Sequence, residues 1–187
     1  LKQNHYLRDR MPRATKLVGA AFETGNPDPI AAVFFGFPAR AWPVPVLELT
    51  RLVRNNDAKI SLTQLISFAT KQIKQNKQLP QLLISYADPA AGHHGGIYQA
   101  ASWNFDQKKA NYIDGADING VFVPWRTLRH RYGTSSATAI KNAHPELDVQ
   151  PHTAEGKYLY WRALDAKAER DAKSVGLEQT AYPKPEL

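Results

Sequence analysis

Apolar and polar positions change rhythm several times along this chain, and each change marks an element. Residues 16–22 and 30–37 are apolar runs parted by Glu23-Thr24-Gly25-Asn26-Pro27-Asp28-Pro29, whose glycine and prolines enforce a turn, so they read as neighbouring strands. A proline-broken loop over 38–45 follows. From 46 to 53 the chain alternates after its start, with Leu47, Leu49 and Val53 on one face and Glu48 and Thr50 on the other, which suits a central strand lining a cleft. Asp57 or Ser61 is placed to cap a helix over 61–75, where Leu62, Leu65, Ile66, Ala69 and Ile73 form one stripe at helical spacing. Residues 81–86 read as a short buried strand and 95–104 as a second helix.

Residues 109–113 and 157–164 read as two more strands, separated by about forty residues without a sheet pattern, a length that is usually functional or disordered. That stretch predicts two short helices, 124–132 and 135–143, around Gly133. Arg126, Arg129, Arg131 and Lys141 make it basic. The tail over 165–187 is polar, a charged helix fading into Pro183-Lys184-Pro185, and no internal repeat is visible. The expected fold is α/β of the α+β kind: a mixed, centrally splayed sheet flanked by helices, with a helical basic insertion between its last two strands.

A chain of 187 residues is long enough for one substantial core, so a single domain over 1–164 with an insertion at about 115–156 is expected. Its 43% hydrophobic content argues against wholesale disorder, and its net charge of +7 favours a polyanionic partner. The absence of cysteine excludes a disulfide framework, a thiolate nucleophile and any thiolate-held metal. No stretch approaches the roughly 20 apolar residues that span a bilayer. The start, Leu1-Lys2-Gln3-Asn4, lacks the order of a secretory signal, so a cytoplasmic protein is expected.

The densest chemistry lies where the strand over 81–86 runs into the next helix. Ser85, Asp88, His93 and Tyr98 fall within fourteen residues, and Gly92, Gly95 and Gly96 leave backbone N–H donors bare between them. Asp88, at the carboxyl end of a buried strand, suits a general base, and Tyr98 stands at a helix position that resembles the one where GNAT acyltransferases carry a general-acid tyrosine. Arg51 suits a phosphate or carbonyl oxygen, and Ser85 a hydrogen bond to a transferred group. His93 could join Asp88 and His5 around an iron-like ion, since oxygen and nitrogen are the only ligands offered. Each position has a plainer reading: Asp88-Pro89 as a strand end and turn cap, Tyr98 and Trp103 as a packed helix face, His93-His94 as a solvated turn, Arg51 paired with Glu48 or Asp57.

The order of elements resembles the acyltransferase fold of the GNAT superfamily. A closer likeness rests on Leu47-Glu48-Leu49-Thr50-Arg51-Leu52, Ser85-Tyr86-Ala87-Asp88-Pro89, Gly92-His93 with Gly95, Ile97-Tyr98-Gln99-Ala100 and Trp103, then Arg126-Thr127-Leu128 and Arg131-Tyr132-Gly133-Thr134. These blocks resemble the phage Mom-type DNA-modification proteins, with His5-Tyr6 and Lys157-Tyr158 fitting the beginning and end. The resemblance implies an enzyme that attaches a carbamoylmethyl (acetamido-like) group to the exocyclic amine of adenine, shielding DNA from restriction. It implies double-stranded DNA with a flipped adenine as partner, and a donor such as acyl-CoA, another activated glycine or acetamide, or a charged tRNA. Arg51, Gly92, Gly95, Gly96 and Tyr98 would hold the donor. Arg126, Arg129, Arg131 and Lys141 would contact phosphate, and Tyr6, Tyr86, Trp103 or Trp125 would stack on the extruded base. A second copy in a homodimer belongs to the same expectation. The loop Arg54-Asn55-Asn56-Asp57 has no Gly-x-Gly, with which ordinary GNAT enzymes hold pyrophosphate, and Pro124-Trp125 stand where many relatives would have a histidine. Other readings are a GNAT-type N-acyltransferase on a small amine or protein, and a non-catalytic DNA-binding protein of this fold. Asp88-Pro89 is also similar to the amine-binding motif of adenine methyltransferases, but the glycine-rich strand-to-helix turn that holds their methyl donor does not appear near the start of this sequence.

Overall fold

The computed structural model describes residues 15–183, which form two compact units, one of residues up to 108 together with 157 onward, the other of 109–156. His5 and Tyr6 lie outside the described residues.

The first unit is built on a six-stranded sheet. Its opening strands β1 (Thr15–Phe22), β2 (Pro29–Gly36) and β3 (Val46–Arg54) are antiparallel, joined by the Gly25 turn and the proline loop that the sequence places there. Helix α1 (Leu62–Gln75) crosses to β4 (Leu82–Ala87), which therefore lies parallel to β3. The expected stripe seats α1, since Leu65, Ile66, Ala69 and Ile73 are buried against Val33, Phe35, Leu47 and Leu83. After β4 come a single 3-10 turn (Pro89–Ala91), the short helix α2 (Gly96–Ala100) and strand β5 (Asn104–Lys108). Beyond the 109–156 unit, which carries strands β6 to β8 and helices α3 and α4, strand β9 (Tyr158–Ala163) inserts between β4 and β5, giving the order β1-β2-β3-β4-β9-β5. Helix α5 (Ala166–Ser174) then covers the opposite face, where Val46, Leu82, Ile84 and Trp161 meet Ala168 and Ala172. The mixed sheet with helices on both sides is the expected α+β class.

Two expectations change. The helix expected over 95–104 ends at Ala100, because Ser102 takes a left-handed φ of 58° while the Trp103 N–H returns to the Tyr98 carbonyl at 2.9 Å. The chain leaves that turn extended, so a strand not expected there, Asn104–Lys108, follows with Phe105 packed on Tyr158 and Tyr160 of β9, while of the strand expected over 109–113 only 112–113 is extended, as the start of the next one.

The stretch expected to be helical also holds a sheet of its own. Strands β6 (Tyr112–Ile118), β7 (Val121–Pro124) and β8 (Val149–Ala154) pair antiparallel in the order β7-β6-β8. The two expected helices are present as α3 (Trp125–Tyr132) and α4 (Ala137–Ala143), which bury Leu128 and Ile140 against Ala116, Ile118, Val123 and Val149. Its Lys and Arg number five, matched by five Asp and Glu, so the positive character is gathered on α3 and Lys141. The two ends of this unit meet: the Gly156 N–H donates to the Asn111 side-chain oxygen at 3.0 Å, and the Lys109 carbonyl lies where a side chain at position 156 would stand. Among the described residues no helix is long and apolar enough to cross a membrane.

Candidate active site

The site arises from a parallel pair that stops pairing. Strands β3 and β4 are in register only at Val46 with Leu82, Leu47 with Leu83 and Glu48 with Ile84. Just beyond, β3 carries a bulge at Thr50, since Arg51 faces Phe34 and Leu49 faces Phe35 across β2. A bulge bends and twists the strand that bears it, so β3 swings away from β4. The bulge also reverses the alternation: Leu52, not Val53, partners Val33 and packs against the main core, so the face expected for Val53 is corrected. Between the parted strands opens a cavity of about 820 Å3.

Its wall gathers most of the side chains singled out from the sequence. Arg51, Asp88, Gly92, His93, Gly95, Gly96 and Tyr98 all line it, as do Tyr86 and two residues not singled out there, Glu48 and Lys157. Asp88 keeps 17% side-chain exposure, and both its oxygens are engaged: Oδ1 accepts the Ala90 N–H at 3.2 Å and Oδ2 pairs with Lys157 Nζ at 2.8 Å. The turn-capping role is therefore real, and Asp88 performs it at the cavity wall.

Ser85 stands behind that wall. It is fully buried, its hydroxyl 2.9 Å from the Leu49 carbonyl and 2.8 Å from the Tyr98 hydroxyl, so it reaches the cavity only through Tyr98. The Tyr98 ring is wedged between Trp103 and Tyr160 at centroid distances of 5.6 and 5.2 Å. Tyr160 in turn donates to the His94 carbonyl at 2.7 Å and accepts from Gln99 Nε2 at 3.0 Å, which ties the glycine-histidine turn to β9. Gly95 is needed for this contact. Its φ is +86°, and a side chain there would run into the Tyr160 ring.

Glu48 is the residue that sequence reasoning passed over. It sits on β3 at the last paired position before the strands part, and burial pushes its carboxyl from 4.5 up to about 7, with the charge of Lys157 pulling the other way. Burial also raises Tyr86, and the negative charge of Glu48 adds to that rise. A polar residue in a strand covered on both faces was the available signal.

Other expectations land elsewhere. Trp103 has no exposed surface, so it cannot stack on a base; its indole fills the core beneath Tyr98 because the turn at Ser102 points it inward. Arg126, Arg129 and Arg131 on α3 and Lys141 on α4 are exposed, as is Trp125, whose ring lies 5.3 Å from the Arg126 guanidinium. They belong to the 109–156 unit. His93 is exposed on the turn, and among the described residues no group of three His, Asp or Glu side chains is placed to hold a metal ion. The set with His5 reaches outside the described residues.

The Mom protein family matches this sequence over residues 1–184. The chain belongs to the Mom protein family. Among curated proteins no match is found. Family membership makes it a phage Mom-type DNA-modification protein, and the cavity at the parted strands is where this Mom chain concentrates its titratable side chains.

Proposed function

We propose that this protein is a GNAT-like transferase that attaches a carbamoylmethyl (acetamido-like) group to the exocyclic amine of adenine in DNA. The observation that carries the reading is the cavity opened by the parting of β3 and β4, with Asp88, Arg51 and Tyr98 on its wall. Its volume of about 820 Å3 falls in the range of about 300–1,000 Å3 typical of ligand sites. An adenine must leave the duplex to enter such a pocket.

The amine is a poor nucleophile, since its lone pair is delocalised into the ring. Asp88 accepts a hydrogen bond from it and turns it toward the donor. Arg51 faces the oxygen of the group being transferred, where a cation stabilises developing negative charge. Tyr98 gives a proton to the leaving group. Ser85, whose hydroxyl lies within hydrogen-bond reach of both the Leu49 carbonyl and the Tyr98 hydroxyl, holds the phenol oxygen in place for that step. The donor is an activated two-carbon compound. Arg51 and Arg54 on the wall suit a phosphate-bearing carrier of an acetamide activated at its methylene carbon, while the loop after β3 lacks the paired glycines that would wrap a pyrophosphate. No step is routed through iron, for which the described residues supply no three-ligand set. The exposed arginines of α3 hold the phosphate backbone, with double-stranded DNA as partner.

The test is nucleoside analysis of DNA from cells expressing the protein. Carbamoylmethyl-adenine is expected from the wild type and is lost in Asp88→Asn, whose fold is retained. Acylation by a glycyl thioester would give an isomer of the same mass, so fragmentation of the side group is read as well. Unmodified adenine with wild-type protein, or full modification by Asp88→Asn, refutes the reading. If Asp88→Asn and Tyr98→Phe are both silent while DNA binding persists, the protein is a non-catalytic DNA binder.

A further inference from the structure

We propose that Glu48 is the general base of the transfer, the group on which the proton of the attacking adenine amine comes to rest, while Asp88 orients that amine. The inference rests on the transferase reading above and assigns the proton-accepting role within it.

Two carboxylates face the cavity near Lys157, and they are held differently. Both oxygens of Asp88 are taken, one by the Ala90 N–H at 3.2 Å and one by Lys157 at 2.8 Å. A carboxylate so engaged is well fixed, which suits it to orienting an amine. Glu48 is governed instead by burial, with the charge of Lys157 opposing it. Its ordinary value of 4.5 moves up to about 7, the range in which a base is both ionised and strong enough to accept a proton at neutral pH. Lys157 at the head of β9 and Tyr86 on β4 interact with it electrostatically, and Asp88 at the end of β4 and Arg51 beyond the bulge on its own strand share its cavity wall.

Position supports the same role. Glu48 is the last β3 residue in register with β4, so it stands at the apex where the strands part, with the cavity opening immediately beyond it. The apex of the opening is fixed by sheet hydrogen bonds and gives a base little freedom to drift. In the step, the adenine nitrogen forms a bond to the methylene carbon of an acetamide donor that carries its leaving group on that carbon. The bond from that carbon to the leaving group breaks, with the electron pair going to the leaving group. The amine proton passes to Glu48, and Tyr98 supplies a proton to the departing group. The base is restored when Glu48 releases its proton to solvent, and no oxidant or reductant is needed.

The experiment uses the full chain with plasmid DNA in a clarified bacterial extract that supplies the donor, buffered between pH 5.5 and 8.5, and reads initial rates of adenine modification. The wild-type rate is expected to climb with pH and level off around neutrality. Glu48→Gln is expected to lower the plateau at least about 100-fold and to lose that acid limb, with DNA binding unchanged, and Glu48→Asp to recover part of the rate. A wild-type profile flat across this range overturns the proposal without need of a variant. So does Glu48→Gln at a near-wild-type rate with the acid limb intact while Asp88→Asn and Tyr98→Phe are inactive, an outcome that leaves the transferase reading standing. Absence of modification by the wild type removes both.

Discussion

Replacing Glu48 by glutamine should stabilise the folded protein, and only above the ordinary range of a carboxylate. In the folded state the carboxyl holds its proton up to about 7, whereas in the unfolded chain it releases it near 4.5. Between those values the unfolded state binds fewer protons, so wild-type stability falls as pH rises through the window and stays reduced above it. At about 1.4 kcal/mol per pH unit, the full window corresponds to roughly 3 kcal/mol. Glutamine has nearly the same shape and never ionises, so it escapes the loss. The two proteins should melt together near pH 4 and separate by pH 8.5, where Glu48→Gln gains up to about 3 kcal/mol, or roughly 6 to 12 °C in melting temperature for a chain of this size. Paired urea titrations at several pH values measure the difference directly, and groups common to both proteins cancel. A difference constant with pH would mean that Glu48 is well solvated or fully compensated, and would remove the physical basis for treating it as a poised base.

Three further outcomes follow from the geometry. Gly95→Ala forces a side chain into the Tyr160 ring at a left-handed φ, and should cost about 2–4 kcal/mol in denaturant melts; an unchanged midpoint would show that the turn is free to move. His152 bonds Asp114 at 2.7 Å, and that hydrogen bond raises the imidazole above its ordinary 6.5, so Asp114→Asn should shift its NMR titration downward, and no shift would assign the rise to another group. Arg126→Glu with Arg129→Glu should weaken DNA binding and flatten its dependence on salt by about two units of slope, while an unaltered slope would free α3 of that role.

The first four strands and α1 were legible because their apolar rhythm is clear, glycine or proline punctuates the junctions on either side of β2 and before β4, and a polar stretch over 54–59 precedes α1. What alternation could not show was the bulge at Thr50, which exchanges the roles of Leu52 and Val53 and separates Arg51 from the face of Leu49. The second sheet was missed for a different reason. Strand β6 reads Tyr-Ile-Asp-Gly-Ala-Asp-Ile, too polar to stand out, yet Asn119-Gly120 is a strong hairpin signal, and both residues take positive φ, 52° and 77°, as a two-residue turn requires.

At the site, the density of Ser85, Asp88, His93 and Tyr98 pointed to the right turn, but spacing carries no depth. Ser85 and Trp103 lie behind the wall that Asp88 and Tyr98 form. Glu48 was visible as a polar residue on an apolar strand, and its value lies in a desolvation that only the covering helices and strands create. Lys157, 109 positions from Glu48 along the chain, becomes its neighbour only through the return of β9.

The meeting of Lys109 and Gly156 closes the 109–156 segment on itself like a drawn purse-string. Because both ends are pinned at one point, the span between them can grow, shrink or be rebuilt without changing the gap it leaves in the sheet, at a loop-entropy cost that rises only slowly with length. Sequence change can therefore accumulate in that segment while β5 and β9 keep their register and the pocket keeps its shape.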